Sequence, residues 1–141
     1  MKGRFKFELS SWYPHLKMHD IVIWERFIMA HPDFFESCDY DVVVGDFRGA
    51  DIKLEPEWQA DREYLGKYKI DVIGYREENI YIIEIKPKAG AKALGQIIMY
   101  DALYTRDFKP EGPTIAMIIT DELMPNMQDL CQEHAIMIMK V

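Results

Sequence analysis

Residues 69–86 have the sequence KIDVIGYREENIYIIEIK, and this stretch decides the predicted fold. Lys69 to Tyr75 and Ile80 to Lys86 are rich in β-branched and aromatic residues, which favour strands. The segment between them, Arg76 to Asn79, is polar and short enough for a hairpin turn. The stretch therefore predicts two adjacent antiparallel strands, and Pro87 is predicted to end the second because proline cannot donate a hydrogen bond to a sheet.

Two carboxylates interrupt the apolar runs of this hairpin. A turn that is symmetric about Glu77 and Glu78 pairs residues whose numbers sum to 155, which places Asp71 opposite Glu84. The Cβ atoms of such neighbours lie about 5 Å apart, and two like charges there destabilise a sheet unless a cation lies between them. Lys86 follows Glu84 by two residues, so strand alternation directs both side chains to one face, about 7 Å apart.

These residue types in this arrangement suit metal-assisted hydrolysis. Carboxylate oxygens are the ligands that Mg²⁺ and Mn²⁺ prefer, and one or two carboxylates often hold such ions together with water and phosphate oxygens. A metal-activated water, with an ammonium group to orient it, can attack a phosphodiester. The alternative is a simple ion pair between Lys86 and an acid across a surface hairpin. The hairpin alone leaves both interpretations open.

Two predicted helices add inward polar residues. Met18 to Ala30 has apolar residues at helical spacing, and Ala91 to Tyr104 is helical by composition and spacing. The apolar stripe of the first helix is predicted to comprise Met18, Ile21, Val22, Ile28 and Met29. Glu25 lies within about 60° of that stripe. Burying a carboxylate there costs free energy unless it has a partner or a ligand. On the second helix, Gln96 and Tyr100 are one turn apart on an inward face.

The rest of the chain predicts an α/β fold. Strands are predicted at Asp41 to Asp46, Thr114 to Thr120 and Ile136 to Val141, with a short helix at Met127 to His134. The polar segment 48–66 interrupts the pattern and is predicted to be an insertion. The element order α-β-β-β-α-β-α-β favours a mixed sheet flanked by helices.

Composition predicts one domain spanning residues 1–141. No apolar run approaches the roughly 20 residues of a membrane span, and no apolar signal segment follows the N-terminus. We therefore expect a cytoplasmic protein without a membrane partner. Cys38 and Cys131 are predicted to be reduced thiols, because neither has the neighbours of a metal site.

The net charge of −7 argues mildly against nucleic-acid binding, since proteins that bind phosphate backbones usually present a basic surface. Charge is nevertheless uneven along the chain. Lys86, Lys88 and Lys92 fall within seven residues, so a local basic patch is predicted, and Lys88 and Lys92 are candidates for positioning a substrate. The four histidines show no ligand spacing and are predicted to have surface or capping roles, with His19 as a helper near Glu25.

The order of these features resembles the PD-(D/E)XK nuclease superfamily. Glu25 lies on a first helix, Asp71 on one strand and Glu84-Ile85-Lys86 on the next. The helix that follows carries Gln96-Ile-Ile-Met-Tyr100, which is most similar to the Gln-x-x-x-Tyr motif of the RecB-like branch. The resemblance implies a restriction-endonuclease-like αβββαβ core, α/β in class, with a mixed central sheet flanked by helices.

The resemblance also implies roles for individual residues. Asp71, Glu84 and the main-chain carbonyl of Ile85 would bind Mg²⁺ or Mn²⁺, and Glu25 would bind a metal directly or through water. Lys86 would serve the attacking water.

On the later helix, Gln96 and Tyr100 would position the nucleic-acid backbone and the catalytic lysine. Ile70 stands where the family's nominal motif has a proline, a departure that leaves the chemistry intact. No cysteine cluster is present, so no iron–sulfur cofactor is implied.

The expected activity is hydrolysis of DNA phosphodiester bonds, as an endonuclease or exonuclease on single-stranded, double-stranded or branched DNA. Two alternatives stay open: a non-catalytic interaction subunit with the nuclease fold, which the −7 charge favours, and an RNA-cleaving relative. A chain of 141 residues leaves little surface for recognition, so we expect a homodimer or recruitment by a DNA-processing partner.

Overall fold

The computed structural model describes residues 2–46 and 68–141. Within these ranges lie six strands and three helices: β1 Phe5–Lys6, α1 Met18–Ala30, β2 Ser37–Val44, β3 Tyr68–Arg76, β4 Asn79–Ala89, α2 Ala91–Phe108, β5 Thr114–Leu123, α3 Met127–Glu133 and β6 Met137–Lys140. The insertion predicted at 48–66 lies outside the described residues. None of the helices in these two ranges is long and apolar enough to cross a membrane.

The strands form one sheet in the order β1-β2-β3-β4-β5-β6. Neighbours from β1 to β4 are antiparallel, whereas β5 is parallel to β4 and β6 is parallel to β5. A parallel pair needs a long crossover, and α2 and α3 supply the two that this sheet requires. The predicted α/β fold with a mixed central sheet is confirmed. Strand β1 was not predicted, because two residues are too few to show a strand period.

Helices cover both faces of the sheet. On one face α1 packs through Trp24 and Phe27 against a cluster of aromatic and aliphatic side chains. On the other face α2 packs through Ile97 and Tyr104 against a second, mainly aliphatic cluster that includes Met127 of α3. The apolar runs of β4 and β5 are therefore buried on both sides, as their continuous hydrophobicity predicts.

The bounds of α1 are as predicted, but the prediction of its buried face is wrong. Met18 is 81% exposed, and the inward residues are Asp20, Ile23, Trp24, Phe27 and Ile28. Glu25 lies about 140° from the centre of that face at 100° per residue. The physical reason is that the aromatic rings of Trp24 and Phe27 have more apolar area to bury than the unbranched side chains of Met18 and Met29.

Pro87 does not end β4, which continues to Ala89 and pairs with β5 up to Leu123. The amide of Ile80 points toward the β5 side, where it donates to Pro113, while the amide of Ile85 points toward β3. By alternation the nitrogen of residue 87 also points toward β3, and β3 no longer pairs with β4 there. The missing N–H of proline therefore costs no sheet hydrogen bond.

β3 changes face at Asp71. Val72 packs in the cluster beneath α1, whereas Ile70, two residues away, packs in the cluster beneath α2. Two such residues share a face in a regular strand. On β2, Asp41 lies between the partners of these two residues and has a left-handed backbone with φ of 54°. The distortion therefore crosses two strands next to the residues of the predicted site.

Several bounds differ from prediction by a few residues. β2 begins at Ser37 rather than at Asp41 and ends at Val44, before Gly45, whose φ of 88° few other residues adopt. α2 extends to Phe108, and β5 extends to Leu123. Ends of elements depend on neighbouring strands and on capping, which local periodicity does not record.

Candidate active site

The site lies where the hairpin opens. The pairs between β3 and β4 follow the predicted register, with numbers that sum to 155, from Arg76 opposite Asn79 to Val72 opposite Ile83. The ladder ends there, one position before Asp71. Its Oδ2 atom instead accepts a hydrogen bond of 2.9 Å from the amide of Ile85. The carboxylate thus replaces a main-chain partner and holds the two strands together at the point where they separate.

A polar cavity of about 310 Å³ occupies this opening. β3 and β4 form its floor, α2 one wall, and the segment that leads into α1 the other wall. Its lining residues are His15, Lys17, His19, Asp20, Asp71, Glu84, Ile85, Lys86, Pro87, Lys92, Gln96 and Tyr100. Seven residues predicted for the site therefore meet in one cavity: Asp71, Glu84, Ile85, Lys86, Lys92, Gln96 and Tyr100.

The carboxyl groups of Asp71 and Glu84 are hydrogen-bonded to each other in this cavity. Burial raises the pKa of both Asp71 and Glu84 well above their ordinary range, and the repulsion between them raises the pKa of Glu84 further. Glu84 is only 6% exposed, so water screens this repulsion weakly. The pair therefore favours any cation that can enter the cavity.

Lys86 and Asp20 complete the charged centre. Lys86 lowers the pKa of Asp71, Glu84 and Asp20, which places its ammonium group near all three carboxyl groups. Burial raises the pKa of Asp20, and its negative charge in turn raises the pKa of the other two acids. Lys17 and His19 also lower the pKa of Asp20, and the raised pKa of Glu84 means that the hydrogen-bonded pair shares a proton, which a bound cation would displace.

α2 contributes a polar pair to the cavity wall. Gln96 hydrogen-bonds the hydroxyl of Tyr100, whose pKa rises to about 12 because of burial and of the nearby charges of Glu84 and Asp71. Tyr100 therefore keeps its proton and can donate a hydrogen bond. Within the described ranges, the Oε1 atom of Gln96 is buried without a hydrogen-bond partner. Such an orphaned acceptor in a cavity wall is available to a ligand or to water.

Glu25 does not line this cavity. Its Oε2 atom accepts a 2.8 Å hydrogen bond from the hydroxyl of Tyr13, and it lies on the partly exposed side of α1. Lys88 is also elsewhere, since its side chain is 71% exposed and its Nζ atom is 3.8 Å from Glu122 on β5. The structure thus separates both residues from the cavity in which they were predicted.

Three cavity residues were missed as site residues: Asp20, His15 and Lys17. His19, which was predicted as a helper near Glu25, lines the cavity although Glu25 does not. A signal for Asp20 existed, because it precedes Ile23, Trp24 and Phe27 at helical spacing and shares their face. Centring the stripe on those three bulky residues would have placed Asp20 on the inner face of α1. His15 and Lys17 precede the helix in an irregular segment, where periodicity carries no information.

His15 is held near the cavity by a carboxylate of β2. Its Nε2 atom lies 3.6 Å from the Oδ2 atom of Asp41, close enough for attraction but longer than a direct hydrogen bond. The imidazole is 65% exposed, while the side chain of Asp41 is 11% exposed. Both residues have left-handed backbones, with φ of 58° for His15 and 54° for Asp41. Non-glycine residues in that region concentrate at ligand-binding sites, because the surrounding structure must offset their strain.

The donor set fits a hard divalent cation. In residues 2–46 and 68–141, no group of three or more His, Cys, Asp and Glu side chains is arranged to hold a metal ion. An ion at Asp71 and Glu84 would rely on the carbonyl of Ile85, water and phosphate oxygens for its other ligands. Mg²⁺ is commonly bound in this way, through one or two carboxylates and several waters. A cation there would take the place of the proton that the two carboxyl groups share.

Comparison with known proteins gives matches in structure but none in sequence. No family model and no curated protein matches the chain. Among solved structures, a repair endonuclease from Pyrococcus abyssi matches 94% of the chain with a TM-score of 0.52 and 15% identity, over 49% of its own length. EndoMS, in a complex with double-stranded DNA, matches 94% of the chain with a TM-score of 0.51 and 15% identity, over 48% of its own length.

A third structure, the protein of unknown function AF1548, matches 84% of the chain with a TM-score of 0.50 and 20% identity, over 54% of its length. The chain therefore spans about half the length of the solved structures that it matches. The TM-scores of 0.50–0.52 show a shared fold, and at identities of 15–20% the likeness extends to the fold alone. The chain has the α/β fold of these repair endonucleases, as predicted.

Proposed function

We propose that this protein is a nuclease that hydrolyses DNA phosphodiester bonds with the help of Mg²⁺ or Mn²⁺. The observation that carries the proposal is the Asp71–Glu84 pair, two adjacent carboxyl groups in an open cavity beside Lys86, with Glu84 buried and Asp71 partly buried. The two carboxyl groups alone would not attract a phosphate, so a cation would lie between them and an anionic substrate. The fold shared with repair endonucleases supports DNA as the substrate.

The side chains of the cavity would have distinct roles in metal binding, in activation of water and in positioning of the substrate. Asp71 and Glu84, with the carbonyl of Ile85, would hold the cation. The ion would supply charge stabilisation at the phosphate and would lower the pKa of a water molecule. The hydrogen bond from the Ile85 amide to Asp71 fixes both the carboxylate and the main chain of Ile85, so the donor atoms are held in place before substrate arrives.

Lys86 serves the attacking water and the phosphate. Its ammonium group can orient a lone pair of water toward phosphorus and stabilise the negative charge that builds on the phosphate oxygens. The water oxygen bonds to phosphorus, the ester P–O bond breaks, and the proton lost by water ends on the departing oxygen. Lys92, Gln96 and Tyr100 on the α2 wall would hold the strand so that the phosphate faces Lys86.

We further propose that the protein is related to the RecB-like branch of PD-(D/E)XK nucleases. The support is the position of Gln96 and Tyr100, which line the same cavity as Glu84 and Lys86 and are hydrogen-bonded to each other. The first-helix acid of this arrangement would be Asp20 rather than Glu25, because Asp20 lines the cavity and Glu25 does not.

The decisive experiment compares Lys86→Ala with Lys88→Ala. Both lysines lie on β4, but only Lys86 lines the cavity. Cleavage of single-stranded, double-stranded and branched DNA, and of RNA, would be measured with Mg²⁺ and with Mn²⁺. We expect DNA cleavage that falls by about 100-fold or more in Lys86→Ala and is nearly unchanged in Lys88→Ala. Absence of cleavage by the unmodified protein with both metals, or equal cleavage by Lys86→Ala, would refute the proposal.

A further inference from the structure

A second cavity lies beside the first, along α1 and the C-terminal ends of β4 and β5. Its volume is about 320 Å³, and its lining residues are Met18, His19, Val22, Ile23, Arg26, Pro87 and Asp121. His19 and Pro87 line both cavities, so they form the boundary between the two. A ligand that occupies the polar cavity can therefore extend over this boundary into the second one.

The second cavity is mainly apolar, in contrast to the first. Ile23 is 3% exposed and belongs to the core, while Met18 and Val22 are 81% and 47% exposed. These two lie one turn apart on α1, so they form a continuous apolar surface. Covering such a surface is favourable in proportion to the apolar area removed from water. Packing among residues 2–46 and 68–141 leaves Met18 and Val22 exposed.

Polar groups lie at one margin of the second cavity. The Nη1 atom of Arg26 is 3.3 Å from the Oδ1 atom of Asp121, and both side chains are about half exposed, at 48% and 55%. A guanidinium group and a carboxylate at the edge of an apolar surface offer hydrogen-bond donors and acceptors to a flat ring with polar edges. A guanidinium group can also stack on the face of such a ring.

We propose that this second cavity binds the nucleobase next to the phosphate that is cleaved; the inference rests on the proposed function. A nucleic-acid strand alternates anionic phosphates with flat, weakly polar bases, and the two adjoining cavities present the same alternation. With a phosphate at Lys86, the neighbouring base lies against Met18 and Val22 while Arg26 and Asp121 face its polar edge. The assignment follows from continuity with the catalytic cavity and from the contrast in polarity.

The proposal defines the substrate class. A base that lies in a protein cavity cannot remain stacked and paired in a duplex, and removing it from a duplex requires free energy. A single-stranded segment requires less, because its bases are already unpaired. The expected substrate is therefore single-stranded DNA, or a single-stranded region of a branched molecule.

The test uses exposed residues, so that the variants retain the fold. Met18→Ser with Val22→Ser alters the second cavity, whereas Met29→Ser is the control, since Met29 is 62% exposed on α1 and lines neither cavity. Binding of fluorescent oligonucleotides would be measured by anisotropy in Ca²⁺, on the Lys86→Ala background. One series of single strands contains every base, and the other carries one abasic nucleotide, moved position by position.

We expect the Met18→Ser, Val22→Ser protein to bind the intact single strand about tenfold more weakly than the background protein and the Met29→Ser protein. One abasic position should weaken binding by the background protein to a similar degree, with little further loss in the double variant, because both changes remove the same contact. A duplex of the same sequence should bind more weakly than the single strand.

Unchanged binding by the double variant, equal binding of all abasic strands, or fully additive losses would overturn the inference. A change in self-association measured by light scattering, without a change in DNA binding, would assign the surface to a second copy of the chain and would overturn it too. The binding assay does not need cleavage. Loss of the proposed function, seen as no cleavage by the unmodified protein, is therefore distinguishable from loss of this inference.

Discussion

The β3–β4 hairpin has two halves of opposite character. The closed half runs from the Arg76–Asn79 pair to the Val72–Ile83 pair, and every position between them is paired across the strands. The open half contains Asp71 on β3 and residues 84–86 on β4, where the ladder has ended and a side-chain hydrogen bond joins the strands. The closed half has an apolar, buried centre in Val72, Ile73, Ile82 and Ile83, whereas the open half carries two carboxyl groups and an ammonium group.

The difference shows how this fold holds repelling charges together. Holding Asp71 beside Glu84 costs free energy, because the Ile85 amide and Lys86 offset only part of the burial and repulsion. The packing of Val72, Ile73, Ile82 and Ile83, all 0% exposed, supplies favourable free energy a few residues away. We therefore expect changes in the closed half to alter stability and changes in the open half to alter chemistry. The following predictions test this separation.

The largest effect is expected for Glu84→Gln in the open half. Removing one charge of the carboxyl pair should lower DNA cleavage by about 100-fold or more, because the cation loses a ligand. The metal-free variant should unfold at a higher temperature than the unmodified protein, because the repulsion with Asp71 disappears. Cleavage assays and thermal unfolding with and without Mg²⁺ measure both effects.

The matched control for this change is Glu122→Gln, whose carboxylate is 58% exposed and faces Lys88. It should alter neither property, since exposed ion pairs contribute little. A lower unfolding temperature for metal-free Glu84→Gln would contradict the view that the pair is held at a cost.

In the closed half, Ile83→Ala should lower the free energy of unfolding by about 3 kcal/mol, because a fully buried side chain is replaced by a cavity. Urea denaturation measures the change. The same substitution at Ile98, which is 41% exposed on α2, should cost about 0.5 kcal/mol or less. Below the unfolding transition, Ile83→Ala should retain cleavage. A loss of cleavage in fully folded Ile83→Ala would show that the two halves are not separable.

A smaller effect is expected for Asp20→Asn. Asp20 lines the cavity and can support a bound metal ion without contacting it. Its loss should therefore reduce DNA cleavage and the affinity for Mn²⁺ by about tenfold. Glu25→Gln on the same helix should leave both unchanged, because Glu25 is paired with Tyr13 outside the cavity. Metal titration by calorimetry, beside the cleavage assay, distinguishes the two acids. A larger loss of cleavage and of Mn²⁺ affinity in Glu25→Gln than in Asp20→Asn would instead identify Glu25 as the functional acid of α1.

The smallest effect is expected at the margin of the open half, where His15 faces the cavity. His15→Ala should raise the KM for DNA by about threefold with little change in kcat, because a partly exposed group near the entrance contributes mainly to binding. His134→Ala is the control, since His134 is exposed beyond α3 and does not line the cavity. A fall in kcat of similar size instead would assign His15 to the reaction itself.

Local sequence was sufficient for most elements of this fold. The β-branched runs of β3 and β4 and the helical spacing of α1 depend on neighbours along the chain, and their positions were predicted nearly to the residue. The face of α1 was not, because which stripe turns inward depends on the cluster that receives it. The extension of β4 through Pro87 was not predicted either, because a proline is tolerated there only since β3 no longer pairs with β4 at that position.

The site was predictable to the extent that it follows from strand register. Asp71, Glu84 and Lys86 were brought together by a symmetric turn and by strand alternation, which are properties of the hairpin itself. Glu25 was predicted in the site from its angle on the helix, and Lys88 from its closeness to Lys86 in sequence. The structure separates both residues from the cavity. Proximity along the chain does not determine which groups face the same space.

The amino-acid sequence by itself determined the hairpin, its register and the three residues at its open end, because turn length and the two-residue period of a strand are local properties. The tertiary structure alone decided that Asp20 faces the cavity, that His15 and Lys17 reach it, and that an apolar cavity adjoins it. These depend on the rotation of α1 about its axis. That rotation is set by the burial of Trp24 and Phe27 against distant strands. The bulk of these two residues indicates the inward face of the helix, but only the assembled fold shows which cavity that face meets.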